Sequence, residues 1–163
     1  MSEPVRANGF ASRPSAIPWP PLLLFGCGAA AFLLGALVPL PWPGVDDLAA
    51  RVIGLGFGGV GIALIAWAAA TLYRERTTVM PHRGADHLVT TGPYTRRRNP
   101  IYLGDALIML GLAELTHNIW FVVVVPVFVV AVTWLAILPE ERHLLAKFGA
   151  RYQDYMARTR RWL

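Results

Sequence analysis

Three uncharged apolar runs, each long enough to cross a lipid bilayer, most limit what this chain can fold into. They cover Leu22–Leu40, Val52–Leu72 and Ile119–Leu138. A helix rises ~1.5 Å per residue, so about 20 residues cross a hydrocarbon core of ~30 Å. With 15% charged residues and a mean hydropathy of +0.47, much of the apolar surface must face lipid. The sequence therefore predicts an all-α integral membrane protein.

A fourth apolar segment, Ile101–Leu115, is shorter and contains Asp105. It would form roughly 22 Å of helix, which is marginal for a membrane span. We interpret it as a short third helix; the alternative is a re-entrant hairpin with the fourth helix. About four transmembrane helices are expected in one membrane domain, with 1–21 as an N-terminal segment, 22–72 as helices one and two, and 73–163 as the remainder.

The positive charges lie on one side of this four-helix arrangement. Fourteen of the fifteen lysines and arginines precede the first run, separate the second and third helices, or follow the fourth helix, and Arg51 is the exception. The positive-inside rule then places both termini and the long loop in the cytoplasm, with the chain in a cell inner membrane. Juxtamembrane cations also favour anionic lipid, so the bilayer is the expected partner and nucleic acid is not.

Three features that suggest other chemistry have simpler interpretations. The single cysteine, Cys27, lies in an apolar run, so neither an internal disulfide nor a cysteine-based metal site is expected. The segment Gly54–Gly59 spells GxGxxG, but it lies inside a span with no strand before it. The spacing of Gly54 and Gly58 instead predicts close packing between helices. His117 is interpreted as a solvated residue in a short turn.

Polar residues are densest between the second and third helices, from His87 to Gly104. Within this block Gly92 and Pro93 mark a turn. Asn99 before Pro100 matches an N-cap followed by the first position of a helix. The exposed amides of that helix start, with arginines at 96–98, would suit a carboxylate or phosphate. The alternative is a capped helix beside arginines that only reach the membrane surface.

A second block, Pro139–Arg158, carries apolar and aromatic residues at helical spacing with cations between them. This pattern predicts an amphipathic helix on the membrane interface. Glu140 and Glu141 would occupy its first turn, where acidic side chains complement the helix dipole. Local physics alone therefore assigns this acidic pair a capping role.

Together the two blocks resemble the superfamily of integral membrane enzymes that contains the isoprenylcysteine carboxyl methyltransferases and the phospholipid methyltransferases. The resemblance covers roughly His87 to Leu163. It rests on four motifs in order, namely L-V-T-x-G-x-Y, R-[HN]-P-x-Y-x-G, E-E and F-G-x-x-Y-x-x-Y. They are present here as Leu88–Tyr94, Arg98–Gly104, Glu140-Glu141 and Phe148–Tyr155.

The resemblance implies binding of S-adenosylmethionine without a Rossmann fold, between the loop before the penultimate helix and the segment after the last one. The cofactor-binding candidates that it implies are His87, Leu88, Gly92, Tyr94, Arg98, Asn99, Pro100, Tyr102, Gly104, Glu140 and Glu141. It also implies methyl transfer to an amphiphilic acceptor at the cytoplasmic face. The isoprenylcysteine branch has Arg-His-Pro where this chain has Arg98-Asn99-Pro100, and an asparagine cannot titrate.

The candidate catalytic residues are Arg98, Asn99 and Asp105. Arg98 would orient a carboxylate acceptor, whereas an amine acceptor must be deprotonated and Asp105 could then serve it. An acid inside a membrane is costly and functional by default. The equal alternative is that Asp105 only forms a hydrogen bond to a neighbouring helix. Displacement of the sulfonium methyl can draw much of its rate from orientation alone. The resemblance leaves open whether oxygen, nitrogen or sulfur is methylated, and the sequence leaves the oligomeric state open.

Two other classes of protein remain alternatives. Small multidrug transporters also have four short helices with cationic loops, but they rely on an acid in the first span, and Leu22–Leu40 has none. A catalytically silent membrane adaptor could use the same fold. Saturable binding of S-adenosylmethionine would favour the enzyme over both.

Overall fold

The computed structural model describes residues 17–43, 48–76 and 88–162. These residues form six α-helices and no β-strand, which confirms the predicted all-α class. The helices are α1 (Trp19–Leu37), α2 (Leu48–Arg74), α3 (Pro100–Thr116), α4 (Ile119–Val132), α5 (Leu138–Phe148) and α6 (Ala150–Arg158). Three helical stretches are long and apolar enough to span a membrane: Trp19–Leu37, Leu48–Arg74 and Ile119–Phe148. The chain is therefore an integral membrane protein.

The last of these stretches joins α4 to α5 without a break. The joint is a π-helical turn over Thr133–Ile137, in which the amide of Leu138 donates to the carbonyl of Thr133. Pro139 follows this turn, and its ring would clash with the carbonyl four residues earlier in a regular α-helix. The wider turn accommodates that ring. The sequence predicts one amphipathic helix over Pro139–Arg158. The structure instead divides this segment at Gly149 into α5 and α6, and α5 continues the span before it.

Helices α2 and α3 pack closely through glycines, as the Gly54 and Gly58 spacing predicts. A Cβ atom on Gly111 would lie 2.8 Å from Gly58 Cα, and one on Gly104 would lie 2.8 Å from the Gly61 carbonyl. A Cβ on Gly54 would overlap the Glu114 side chain. These contacts run in order from one end of α3 to the other, so α3 crosses the same layer as α2, antiparallel to it.

Helices α1 and α4 pack around the main core, whose largest fully buried members include Phe121, Phe128 and Met109. The amide nitrogen Nδ2 of Asn118 donates to the Ala31 carbonyl at 2.9 Å. Asn118 Oδ1 also accepts from the Trp120 amide at 3.0 Å and so caps α4. These bonds fix the turn between α3 and α4 against α1.

The helices give the molecule two ends. We call the end formed by 88–99 and 138–162 the arginine-rich end, and the end formed by 38–42 and 117–120 the opposite end. His117 is exposed at the opposite end, as predicted, and its ring stacks on Trp42 with 6.0 Å between the ring centroids. The predicted functional residues that the structure describes lie at or toward the arginine-rich end.

Candidate functional site

The loop before α3 packs against the last turns of α2. Gly92 has φ +58° and begins a short 3-10 turn, Gly92–Thr95. A Cβ on Gly92 would come within 2.5 Å of the Thr71 hydroxyl, so a side chain there would meet both backbone strain and a steric clash. Tyr94 is buried against Ala68 and Leu72 of α2. The turn predicted at Gly92 and Pro93 is confirmed. Leu88, the first described residue of this loop, is half-buried. His87 lies outside the described residues.

Residues 159–162, which we call the strap, run beside the loop in a parallel arrangement. The Arg98 amide donates to the Arg160 carbonyl at 2.9 Å, and the Arg160 amide donates to the Arg96 carbonyl at 3.0 Å. At the far end of the strap, Trp162 Nε1 donates to the Thr133 hydroxyl at 3.2 Å, and Arg97 Nη1 donates to the Trp162 carbonyl at 2.8 Å. The strap thus closes the arginine-rich end over the start of α3.

The Glu141 carboxylate connects the loop to the strap. It accepts a 3.2 Å bond from Arg98 Nε, and Arg161 contacts both of its oxygens at 3.0 and 2.7 Å. The hydrogen bond to Glu141 raises the pKa of the Arg161 guanidinium. Partial burial of the guanidinium has a smaller, opposite effect on this pKa. Both ion pairs are charge-assisted, and the carboxylate is largely shielded from water. Glu141 therefore holds the two arginines together.

Arg98 also binds the end of α6. Its Nη1 donates to the carbonyls of Met156 and Thr159 at 3.1 and 2.7 Å. A cation at a helix C-terminus satisfies carbonyls that have no donor within the helix. Since Nε and Nη1 are both occupied by protein groups, this arginine has less capacity to orient a carboxylate acceptor than the sequence suggests.

Asn99 occupies the predicted cap position before α3, but its side chain makes no capping bond. Its Nδ2 donates instead to the carbonyl of Arg161 at 3.1 Å, 62 positions later in the chain. The predicted capping bond is wrong, because the strap competes for the amide. Pro100 takes the first helical position, as predicted, and is buried.

Two tyrosines of α6 are buried at the arginine-rich end. Tyr155 donates from its phenol to the Tyr94 carbonyl at 2.7 Å, and Tyr152 is only 2% exposed. Burial raises the pKa of the Tyr94, Tyr152 and Tyr155 phenols well above their usual range, and the charge of Glu140 raises that of Tyr94 further. All three phenols therefore keep their protons at neutral pH and can donate hydrogen bonds.

Four polar side chains beside this network are not used by it. They are the phenols of Tyr94 and Tyr102 and the carboxylates of Asp105 and Glu140. Within the described ranges, none of these four groups has a hydrogen-bond partner, although Asp105 and Tyr102 are only 7% and 8% exposed. Tyr102 and Asp105 lie one turn apart on α3, and Tyr102 packs in the same core cluster as Ala136 and Ile137, just before Glu140. Ile101 packs against both this cluster and the one that holds Tyr94, so the four groups lie in one region. Gly104, by contrast, contacts α2.

This arrangement differs from the predicted anion site. Buried polar groups normally find partners, so four adjacent groups without them are suited to a ligand with complementary chemistry. Two carboxylates attract a cation, and two phenols donate to oxygen or nitrogen acceptors. The nearby arginines Arg98 and Arg161 are already paired with Glu141. The group as a whole therefore favours a positively charged ligand that also carries polar atoms.

Sequence reasoning named the four residues of this group but missed the strap and the different contacts of the two acids. The strap is four residues long, and only the aromatic Trp162 and the adjacent arginines mark it in the sequence. The helix spacing of Glu140 and Glu141, about 100° apart, could have indicated that they face different partners.

Comparison with known proteins identifies a family and relatives to which the chain is similar. The phospholipid methyltransferase family matches residues 49–151. The chain is 29% identical, over 70% of its length, to the nickel-cobalt-cadmium resistance protein NccN of Alcaligenes xylosoxydans xylosoxydans. It is 30% identical, over 64% of its length, to the cobalt-zinc-cadmium resistance protein CzcN of Cupriavidus metallidurans. The matches cover 51% and 45% of those proteins, so this chain spans about half of their length. No solved structure matches it.

Proposed function

Because the chain belongs to the phospholipid methyltransferase family, we propose that it transfers a methyl group from S-adenosylmethionine to an amphiphilic acceptor at the membrane surface. Members of this family generally use that cofactor. The observation that carries the proposal is the group formed by Tyr94, Tyr102, Asp105 and Glu140, which lies where the loop before α3 meets the chain after α4. These are the two segments that the family resemblance assigns to the cofactor.

The residues present fit such a cofactor. S-adenosylmethionine, when bound, supplies an electrophilic methyl group on a sulfonium cation and carries an ammonium, a carboxylate and ribose hydroxyls. Glu140 would accept hydrogen bonds from the cofactor's hydroxyl or ammonium groups, and the Tyr94 and Tyr102 phenols would donate to its polar oxygens. The strap and α6 shield these four groups from water, because Tyr152 and Tyr155 of α6 are buried and Trp162 of the strap packs against the core.

We further propose that the acceptor is an amine. Asp105 is the deepest of the four groups and lies on α3 within the membrane layer. Its carboxylate can hold an ammonium headgroup, accept its proton and leave a neutral nitrogen as the nucleophile. A carboxylate acceptor would be repelled by Asp105 and Glu140, while Arg98 is occupied by Glu141 and by the end of α6.

The arginine-rich end is proposed to face the cytoplasm of an inner membrane. The asymmetry that supports this orientation is the cation distribution, since Arg51 is the only arginine or lysine predicted for the opposite side. An acceptor with an apolar tail would then reach Asp105 from the cytoplasmic leaflet.

The names of the two relatives raise metal resistance as a second function. Direct binding of a metal ion needs several nitrogen, sulfur or carboxylate ligands together. No group of three or more histidine, cysteine, aspartate or glutamate side chains lies in the described part of the chain. No observation on these residues therefore favours metal binding over methyl transfer.

Methyl transfer can be tested on the purified protein in lipid nanodiscs. We expect incubation with methyl-labelled S-adenosylmethionine to give lipids or amphiphiles one methyl group heavier by mass spectrometry, with the label on nitrogen. Asp105→Asn should lower turnover while leaving affinity for S-adenosylhomocysteine close to wild type. Glu114→Gln, which removes an acid at the other end of α3, is the matched control and should change neither quantity.

Two results would contradict the proposal at different levels. Label found on a carboxylate oxygen would overturn the amine acceptor but keep the enzyme. Folded protein that binds neither S-adenosylmethionine nor S-adenosylhomocysteine would remove the methyltransferase assignment and favour a transporter or an adaptor.

A further inference from the structure

Helix α6 and the strap carry a cationic surface that the site does not use. We call the exposed side chains of Arg96, Arg151, Arg158 and Arg160 the cationic face. Within the described ranges none of these four guanidinium groups contacts a carboxylate, and Arg158 bonds only to the backbone carbonyl of Asp154. Asp154 is the one exposed acid on α6. Among the residues that the structure describes, the cationic face therefore has a net positive charge with no carboxylate in contact with it.

The other side of α6 belongs to the candidate site. Tyr152 and Tyr155 are buried there, and the Tyr155 phenol bonds to the Tyr94 carbonyl. Arg98 holds the last carbonyls of the same helix. Any contact that fixes α6 in this position therefore also fixes the loop and the strap that close the site.

The cationic face lies close to the end of a membrane span. Only Gly149 separates Phe148, the last residue of the long helix, from α6, and its φ of +55° permits the change in direction. At the other end of the face, Trp162 bonds to Thr133 within the π-helical turn of the same span. The segment formed by α6 and the strap is therefore attached to the span at both of its ends. This attachment keeps its arginines near the lipid headgroups, whose electric field extends about 8 Å at physiological salt.

We propose that the cationic face binds the headgroups of anionic phospholipids, and that this contact holds α6 and the strap closed over the site. Each cation near an anionic membrane surface contributes measurably to binding. Three of the four cations lie on α6 and the strap, and Arg96 lies on the loop that bonds to the strap, so all four can act together. The lipid surface and the cofactor would then favour the same closed arrangement. Cofactor affinity should rise with the anionic fraction of the membrane, and by linkage the cofactor should strengthen the lipid contact.

The first test does not depend on the proposed methyl transfer. Hydrogen exchange is measured on the full-length protein in nanodiscs of phosphatidylcholine, with and without a third of phosphatidylglycerol. The amides of Arg98 and Arg160 bond across the loop and the strap, so they report closure directly. We expect their exchange to slow by about fivefold in anionic discs, the effect of one additional cation–lipid contact in the closed state. High salt should reduce the difference.

The second test uses the cofactor product. In the same two kinds of disc, affinity for S-adenosylhomocysteine should be about fivefold higher when anionic lipid is present. The double variant Arg151→Gln/Arg158→Gln should remove this lipid dependence but keep the affinity seen in phosphatidylcholine. Asp154→Asn, on the same exposed face, should increase the dependence, and Arg51→Gln at the opposite end should leave it unchanged.

The two tests separate this inference from the proposed function on which its second part rests. Slower exchange in anionic discs with no binding of S-adenosylhomocysteine would keep the lipid contact and remove the methyltransferase. Equal exchange and equal affinity in both kinds of disc would overturn the lipid contact while leaving the methyltransferase intact. A lipid dependence that survives the double arginine variant would also overturn it.

Discussion

The phenol of Tyr155 donates a 2.7 Å hydrogen bond to the backbone carbonyl of Tyr94, across 61 positions of sequence. This single bond joins the amphipathic helix that follows the last span to the loop that precedes the third. Both residues are buried, so the bond is protected from competition with water. It shows how α6, which follows the last span, becomes part of the wall of the candidate site.

Replacing Tyr155 by phenylalanine should loosen this connection without emptying the space that the ring fills. We expect a loss of about 0.5–1.5 kcal/mol, the usual net value of one hydrogen bond, together with weaker binding of S-adenosylhomocysteine. Unfolding in a mixed-detergent titration and calorimetry measure the two effects. Tyr73→Phe, at an exposed position on α2, is the control and should be neutral.

Asn99 should behave as a partner of the strap and not as a helix cap. Asn99→Ala removes the bond to the Arg161 carbonyl and should cost about 1 kcal/mol. Asn99→Asp separates the two roles, since aspartate caps helices well but cannot donate to a carbonyl. If the strap bond matters, trypsin will cut after Arg158 and Arg160 faster in both variants. Wild-type cleavage in the aspartate variant would instead restore the capping role.

The sequence predicts the spans, the glycine packing and the turn at Gly92 because each depends on local composition or on spacing within one helix. The strap could not be predicted in this way. Its hydrogen bonds join Arg96–Asn99 to residues about 60 positions later in the chain. Almost all of these bonds are accepted by a backbone carbonyl, which every residue type possesses, so the sequence does not mark them. The single separate helix predicted over Pro139–Arg158 is wrong for a different reason. The π-helical turn before Pro139 lets α4 continue into α5, and Gly149, with φ +55°, ends α5 before α6 begins.

The contact between α2 and α3 should tolerate no side chain at its closest point. Gly111→Ala would place a methyl group 2.8 Å from both the amide nitrogen and the Cα of Gly58, so the helices must separate. We expect a loss of about 1–3 kcal/mol, as for other overpacked cores, measured as a lower unfolding midpoint. Gly56→Ala has open space around it and is the matched control. Because alanine favours helix more than glycine does, that control should be neutral or stabilising.

The orientation in the membrane can be tested with single cysteines in a Cys27→Ala background. Ala157 is exposed on α6, and Thr116 is exposed at the opposite end of the helices. The cation distribution predicts that an impermeant maleimide added to intact cells labels Thr116→Cys but not Ala157→Cys. Lysed cells should show labelling at both positions. The reverse pattern in intact cells would place the arginine-rich end outside and would contradict a cytoplasmic site.

The two adjacent acids after the π-helical turn should have separable roles. Glu141 pairs with Arg98 and Arg161, so Glu141→Gln should release the strap, lower the unfolding midpoint and speed cleavage at the exposed Arg160. Glu140 has no such partner within the described residues, and it lies inside a continuous helix with no free N-terminal amides nearby. A role in complementing a helix dipole is therefore not available to it.

Glu140→Gln should consequently leave folding and strap cleavage unchanged but weaken S-adenosylhomocysteine binding. Losing charge-assisted hydrogen bonds to ammonium or hydroxyl groups corresponds to roughly 1.5–3 kcal/mol, or about ten- to a hundredfold in affinity. Calorimetry on Glu140→Gln, Glu141→Gln and the distant control Glu114→Gln measures this difference. If Glu140→Gln binds S-adenosylhomocysteine with wild-type affinity, Glu140 is not part of the cofactor site.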